Sequence, residues 1–143
     1  MAGYHLYDIP KGVLGEYSKV IEEFEEFQDA LEQDAAIMAI IELSDLVGAT
    51  KYYYFEQGEK ARWQEVIAHI YTRDGVKALP VDSTDLFEAF RLTLDMKKIN
   101  HWDKLDLFLY EVDGYVRAYN LTIRDLIRMS SITERAFISG RRT

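Results

Sequence analysis

Two acids interrupt the most apolar stretch of the sequence, and any fold of this chain has to accommodate them. Glu42 and Asp45 lie between the apolar run 37–41 and the apolar run 46–49. A carboxylate that leaves water without a partner costs several kcal/mol or gives up its charge, so acids in a buried helix normally meet a cation. On a helix the two acids are about 60° apart and project from one face. The sequence therefore predicts a positive charge at this face.

The preceding segment carries a matching set of acids. Glu23 and Glu26 are also three positions apart, and Glu22 precedes Glu26 by four. If the two segments pack as antiparallel helices, the carboxylates of Glu23, Glu26, Glu42 and Asp45 converge. Hard oxygen ligands of this number and sign suit Mg²⁺ or Mn²⁺, ions that commonly work with nucleotide phosphates. The pattern predicts that these four residues are metal ligands.

The five acids also form a motif that resembles the signature of an enzyme family. Glu22-Glu23-x-x-Glu26 is followed, after 15 residues, by Glu42-x-x-Asp45. This order resembles the E-E-x-x-E…E-x-x-D signature of the MazG-like all-α nucleoside triphosphate pyrophosphohydrolases, which are kin of the dimeric dUTPases and the phosphoribosyl-ATP pyrophosphohydrolases. The resemblance implies metal-dependent hydrolysis of a nucleoside triphosphate to a monophosphate and pyrophosphate.

The resemblance covers residues 13–55, and the run 133–137 with 140–142 is reminiscent of short phage-encoded members. It implies a four-helix-bundle core with additional helices. The length of the chain predicts one domain over 1–143, whose residues 1–12 form an irregular N-terminal arm ended by Pro10 and Gly12. The resemblance also implies a homodimer or homotetramer in which a partner subunit helps to build the site. Such phage enzymes edit the nucleotide pool, and one group degrades dGTP, so dGTP or GTP is the substrate to test first.

Three further residues receive roles from their spacing. Glu22 is turned about 100° from Glu23 but only about 40° from Glu26, which predicts a general base at the edge of the metal cluster. Lys19, four residues before Glu23, is placed either to contact a phosphate or to form an ordinary ion pair. Tyr52 lies on the face of Asp45, where small residues such as Gly48 leave room, and either stacks on a nucleobase or packs in the core.

Two other interpretations of the acids remain open in the sequence. Runs such as Glu22–Glu26 are common on solvated helix faces, and buried acids also occur in salt-bridge networks. No basic residue lies between Val20 and Thr50, so partners in such a network have to come from outside that segment. The alternative function is a non-catalytic helical interaction protein that binds a partner through its acidic face.

Composition excludes several other classes. The chain has 143 residues, 48% of them hydrophobic, which indicates a folded domain. Its net charge of −8 disfavours binding to nucleic acid or to anionic membranes. There is no cysteine, no glycine-rich phosphate loop and no Glu-x-x-His motif of the di-iron bundles. Neither a signal peptide nor a long apolar span is evident, so we expect a cytoplasmic protein, in the host cytoplasm if phage-encoded.

Apolar residues recur with helical spacing through most of the chain, which predicts an all-α fold. We expect Asp34 to cap the second helix, Gly58 to end it, and Thr122 to cap the last. The predicted helices cover about 13–33, 35–56, 59–72, 82–95 and 102–119, with a final helix from Thr122.

Overall fold

Helices are the only regular elements in the described part of the chain. The computed structural model describes residues 8–71 and 101–135, without the side chains of 101–107. No strand occurs within these ranges, which confirms the all-α class. The helices are α1 (Tyr17–Glu32), α2 (Ala36–Glu56), α3 (Lys60–Tyr71), α4 (His101–Arg117) and α5 (Ile123–Met129).

The second, third and fifth predicted helices agree with α2, α3 and α4 to within two residues at each end. The predicted helix at 82–95 lies outside the described residues, as does the start of the arm at 1–7. None of the helices in the described ranges is long and apolar enough to cross a membrane.

Helices α1, α2 and α4 end in the same kind of reversal, at a residue with positive φ. These residues are Asp34 (φ 55°), Gly58 (φ 80°) and Asn120 (φ 63°). At the first reversal the Ala35 N–H donates to Ala30 O over 3.1 Å, which is the six-to-one bond of a Schellman motif. The prediction that Asp34 caps α2 is therefore wrong, because Asp34 ends α1. Ala35 occupies the N-cap of α2 without a side-chain hydrogen bond.

Helix α1 begins at Tyr17, four residues later than Val13, where the sequence pattern places its start. Glu16 is extended, with φ −105° and ψ 160°, and its N–H donates to Val13 O in a turn. The Ser18 hydroxyl accepts a hydrogen bond from the Val13 N–H at 3.0 Å. Local bonds thus replace the expected first turn, and residues 8–16 form a segment that lies against the start of α1.

Helices α1 and α2 pack against each other and position the acids. Their apolar faces are buried between them and their neighbours, as the periodicity predicts. The fully buried core residues of this pair are Val20, Phe27, Ala30, Ala39, Leu43, Leu46, Val47 and Ala49. The first turns of α2 are less buried than the rest of this apolar helix, since Ile37 is 76% exposed.

The chain divides into two compact units. The first contains the described residues up to Lys60 together with those from Leu126 onward, and the second contains those from Ala61 to Asp125. In the second unit, Thr122 caps α5 as predicted: its hydroxyl accepts the Asp125 N–H, and the Asp125 carboxylate accepts the Thr122 N–H. This is a capping box with aspartate in place of glutamate.

Candidate metal centre

The five acids that the sequence singles out lie together in the first unit. Glu22, Glu23 and Glu26 of α1 form one group, and Glu23 forms a second group with Glu42 and Asp45 of α2. In each group, one carboxylate oxygen of every member lies within 4.8 Å of the others. Glu23 belongs to both groups, so it joins the acids of the two helices into one set, which we call the acid cluster.

Most of the acid cluster is withdrawn from solvent. The exposed fractions of Glu22, Glu23 and Glu42 are 5%, 4% and 7%, whereas Glu26 and Asp45 are partly exposed. A solvated helix face does not have such values, so that interpretation is wrong for Glu22 and Glu23, the two buried acids of the run to which it applied. Their burial has to be offset by protons, hydrogen bonds or positive charge.

Burial changes the protonation of two members of the cluster. It raises the pKa of Glu23 from 4.5 to about 7, although the charge of Lys19 and a hydrogen bond with Glu26 act in the opposite direction, and the charge of Asp45 adds to the increase. Burial likewise raises the pKa of Glu26 from 4.5 to about 7, with the charge of Glu23 as the next cause. A hydrogen bond to Glu42 acts in the opposite direction on the pKa of Glu26. The cluster therefore gains protons near neutral pH more readily than isolated carboxylates do.

Glu23 holds the least satisfied atom of the cluster. Its Oε1 lies 3.2 Å from Lys19 Nζ, but its buried Oε2 accepts no hydrogen bond within the described structure. A buried carboxylate oxygen without a donor costs roughly 1–3 kcal/mol or more, so native structures rarely retain one without a reason. The position of this oxygen, in the residue shared by both acid groups, is where a cation would meet ligands from both helices.

Lys19 forms the ion pair that its spacing predicts. Its Nζ lies 3.1 Å from Glu22 Oε1 and 3.2 Å from Glu23 Oε1. Burial alone lowers the pKa of Lys19, but the charge of Glu23 and the hydrogen bonds to Glu22 and Glu23 raise it overall. Lys19 thus offsets part of the negative charge, and its contact with a phosphate stays a prediction.

Glu22 is held from two directions. Its Oε1 accepts a hydrogen bond from the Gly12 N–H at 2.8 Å and one from Lys19 Nζ at 3.1 Å. Both bonds that the described structure gives to Glu22 end on Oε1. Glu22 lies as near to Glu23 and Glu26 as a ligand would, so proximity alone does not separate the predicted base from the predicted ligands.

Asp45 is fixed by a segment that sequence reasoning missed. Its Oδ1 accepts hydrogen bonds from the Ser131 N–H at 2.8 Å, from Ser131 Oγ at 2.9 Å and from Ser130 Oγ at 3.3 Å. These serines follow α5, 85 and 86 residues away in the chain. Nothing in their local pattern points to Asp45, and only the weak resemblance of the run 133–137 draws attention to this part of the chain.

Tyr52 lies in a crowded environment on α2. It is 4% exposed, its ring meets Phe55 edge-on at 5.5 Å, and Lys51 Nζ lies 5.3 Å from its ring centroid. Ser130 of the segment after α5 closely approaches Gly48, since a Cβ there would lie 2.6 Å from Ser130 Oγ. Part of the predicted space nevertheless remains, because Gly48 and Tyr52 line the same cavity. Stacking of Tyr52 on a base stays a prediction.

Tyr52 also lines a cavity of about 210 Å³ in the first unit. The cavity walls come from α2, from the end of α5 and from the segment after it, and they include Lys51, Ser130 and Glu134. Its volume is below the roughly 300–1,000 Å³ of pockets that enclose a drug-sized ligand.

Comparison of the chain with family models, with curated proteins and with solved structures gives no match. The geometry of the acid cluster and the motif that its residues form are therefore the features that indicate a function.

Proposed function

We propose that the protein is a metal-dependent nucleoside triphosphate pyrophosphohydrolase whose metal centre is the acid cluster. The observation that carries the proposal is the buried, unpartnered Oε2 of Glu23, the residue common to both acid groups. An acidic cluster alone is an ordinary feature of protein surfaces. A buried oxygen without a donor inside such a cluster is not, and a cation is the partner that suits it.

The donor set fits magnesium or manganese. All the contributing side chains offer carboxylate oxygens, which are the ligands these hard ions prefer, and the set contains neither a thiol nor an imidazole. Glu23, Glu26, Glu42 and Asp45 would hold the ion, with Ser130 and Ser131 fixing the orientation of Asp45. The raised pKa values of Glu23 and Glu26 belong to carboxylates crowded by burial and by one another, which a divalent cation would relieve.

Hydrolysis at the α-phosphorus follows from the roles of the acids. A divalent ion bound there would withdraw charge from the α-phosphate as its bond to the bridging oxygen breaks. Glu22, anchored through Oε1, turns its other oxygen to a water and accepts the proton as that water attacks phosphorus. The new bond joins the water oxygen to the α-phosphorus, and pyrophosphate departs with the bridging oxygen. Lys19 is placed to neutralise a phosphate oxygen.

Burial argues against the alternative function. An acidic face that binds a protein partner has to be accessible, whereas Glu22, Glu23 and Glu42 each expose 7% of their surface or less. The oligomeric part of the proposal has modest support on α2. Ile37 and Ile41, four residues apart on one face, are 76% and 39% exposed, and a second subunit would cover them.

Two measurements test the proposal. Thermal unfolding with Mg²⁺, Mn²⁺ and a chelator should show stabilisation by either ion, because a ligand that binds only the folded state raises its stability. Incubation with dGTP, GTP and the other triphosphates should release pyrophosphate and a monophosphate. A diphosphate with orthophosphate as the first products would contradict the proposed reaction.

A matched pair of variants shows whether metal-induced stabilisation depends on the acid cluster or on the overall negative charge of α1. Glu23→Gln removes the shared ligand and should abolish the metal-induced stabilisation. Glu25→Gln removes one charge from the same helix at a residue outside both acid groups, and should preserve the stabilisation. Equal metal responses in the two variants would show that the ions act through charge in general and not through this centre.

A further inference from the structure

The segment before α1 makes one close contact with the acid cluster, at Gly12. The Gly12 N–H donates to Glu22 Oε1 at 2.8 Å, over ten residues of sequence. Gly12 also lies directly on the backbone of α1, where a Cβ would overlap the backbone atoms of Ser18 and Lys19. Only glycine brings a backbone amide this close to the first turn of the helix.

We propose that Gly12 is a positioning residue for Glu22, and that its N–H sets the orientation in which this carboxylate accepts a proton from water. The inference rests on the proposed function, in which Glu22 is the base. Gly12 does not contact the substrate, and its effect passes through Glu22 alone.

The division of donors between Glu22 and Glu23 supports this role. Lys19 Nζ is shared, at 3.1 Å from Glu22 Oε1 and 3.2 Å from Glu23 Oε1, so it does not favour one carboxylate. The Gly12 N–H, in contrast, donates to Glu22. A backbone amide has no rotamers to order and no charge to lose, so it holds the carboxylate with little entropic cost.

The hydrogen bond from Gly12 also determines which oxygen of Glu22 is left for water. Both donors meet Oε1, and this leaves Oε2 as the oxygen for the attacking water. If the Gly12 bond is lost, the carboxylate keeps its charge and its place on α1 but rotates about its last side-chain bonds. A general base that is misdirected in this way loses turnover before it loses affinity for metal.

The central experiment is a double-mutant cycle on turnover. Gly12→Ala should lower kcat by about 10-fold to 100-fold, the scale of a lost hydrogen bond to a charged group, and should leave the midpoint for magnesium unchanged. In the Glu22→Gln background the same substitution should lower kcat by less than about twofold, because there is no base left to orient. Equal losses in both backgrounds would overturn the inference and give Gly12 a structural role.

Gly58→Ala is the control for strain. Gly58 also needs glycine, because its φ is 80°, yet a Cβ there meets no atom within 4 Å. This variant should lower the melting temperature without changing kcat in either background. A loss of kcat similar to that of Gly12→Ala would show that destabilisation alone explains the effect.

A backbone ester at position 12 covers the case in which Gly12→Ala does not fold. The ester replaces the N–H by an oxygen and adds no Cβ, so the segment keeps its path along α1. We expect the same loss of kcat and the same unchanged magnesium midpoint. Wild-type kcat in the ester protein would overturn the inference.

A readout without substrate distinguishes failure of this inference from failure of the proposed function. In ¹⁵N NMR spectra of the full chain, the Gly12 amide proton should exchange slowly in the wild type and quickly in Glu22→Ala. Slow exchange in both proteins would mean that Glu22 does not hold this amide, whatever the activity. Glu22-dependent protection in a wild-type protein that hydrolyses no triphosphate would remove the proposed function, and with it the catalytic purpose of the contact.

Discussion

Glu23 and Asp113 are both buried acids on helices, and they meet opposite surroundings. Asp113 is fully buried on α4, where its Oδ2 accepts from Arg117 Nε at 2.8 Å and its Oδ1 accepts from the Ile123 N–H at 2.9 Å. Glu23 is 4% exposed, shares Lys19 with Glu22, and leaves Oε2 without a donor. Asp113 thus ties α4 to the first turn of α5 with both oxygens occupied.

Burial of an acid does not by itself indicate a functional site. Asp113 supplies an acceptor to a first-turn amide of α5 that has no partner within its helix, and Arg117 balances its charge. That is a complete structural role. Glu23 has an incomplete set of partners. Its two groups also contain Glu26, Glu42 and Asp45 in addition to Glu22. The incomplete partner set, more than the burial, is what points to a ligand.

Asp45→Asn should have the greatest effect of the variants discussed, because it tests whether the acids around Glu23 hold a metal ion. The amide keeps an oxygen for the Ser131 N–H but loses the charge that would hold a divalent cation in the proposed metal centre. Turnover and metal-induced stabilisation should both disappear. The metal-free melting temperature should rise, since the charge of Asp45 repels that of Glu23. Pyrophosphate release and thermal unfolding measure these outcomes, and wild-type values for both would make Asp45 a structural acid like Asp113.

Glu22→Gln should have the next largest effect, and it distinguishes a general base from a metal ligand. Glu22→Gln should lower kcat by about 10²–10⁴-fold, as expected for a lost general base, with little change in magnesium affinity. Both quantities should be measured on one preparation. If magnesium binding falls in step with kcat, Glu22 is itself a ligand, and another carboxylate has to activate the water.

Asp113→Asn tests whether the role of Asp113 is purely structural. It removes the negative charge that faces the mostly buried Arg117 side chain, so the free energy of unfolding should fall by about 3–5 kcal/mol in a urea titration. The additional stabilisation by magnesium should be unchanged. As a control in the same unit, Glu65→Gln removes an exposed pair with Arg62 at 3.7 Å and should cost less than about 1 kcal/mol. A lost magnesium response in Asp113→Asn would contradict a purely structural role.

The sequence was sufficient for the features that depend on local spacing. Helical periodicity predicts α2 and α4, and Thr122 is recognisable as a cap because its partner, Asp125, is three residues away. The acid cluster was also predictable, because Glu42 and Asp45 are out of place in an apolar run and only a partner helix brings acids to them.

The features that the sequence did not predict depend on contacts between segments that are brought together only in the folded chain. Ser131 contacts Asp45 across 86 residues, and no local pattern encodes that contact. Asp34 has the composition of an N-cap, but the turn between α1 and α2 is so short that the same residue has to end the first helix. Gly12 has no distinctive sequence context, and its contacts with Ser18 and Glu22 are visible only in three dimensions.

The smallest expected effect is the pH dependence of the metal-free protein. Because the folded state raises the pKa of Glu23 and of Glu26 from 4.5 to about 7, it retains protons that the unfolded chain releases. The associated stability is fully present below about pH 4.5 and is lost as the pH rises through about 7. With chelator present, the melting temperature should therefore fall between pH 5 and pH 8. Glu23→Gln should flatten this dependence, because it removes one of the two titrating carboxyls and the charge that acts on the other. Saturating magnesium should also flatten the pH dependence of the melting temperature if the same carboxylates hold the ion. An equal pH dependence in wild type and Glu23→Gln would instead assign the titration to acids outside the cluster.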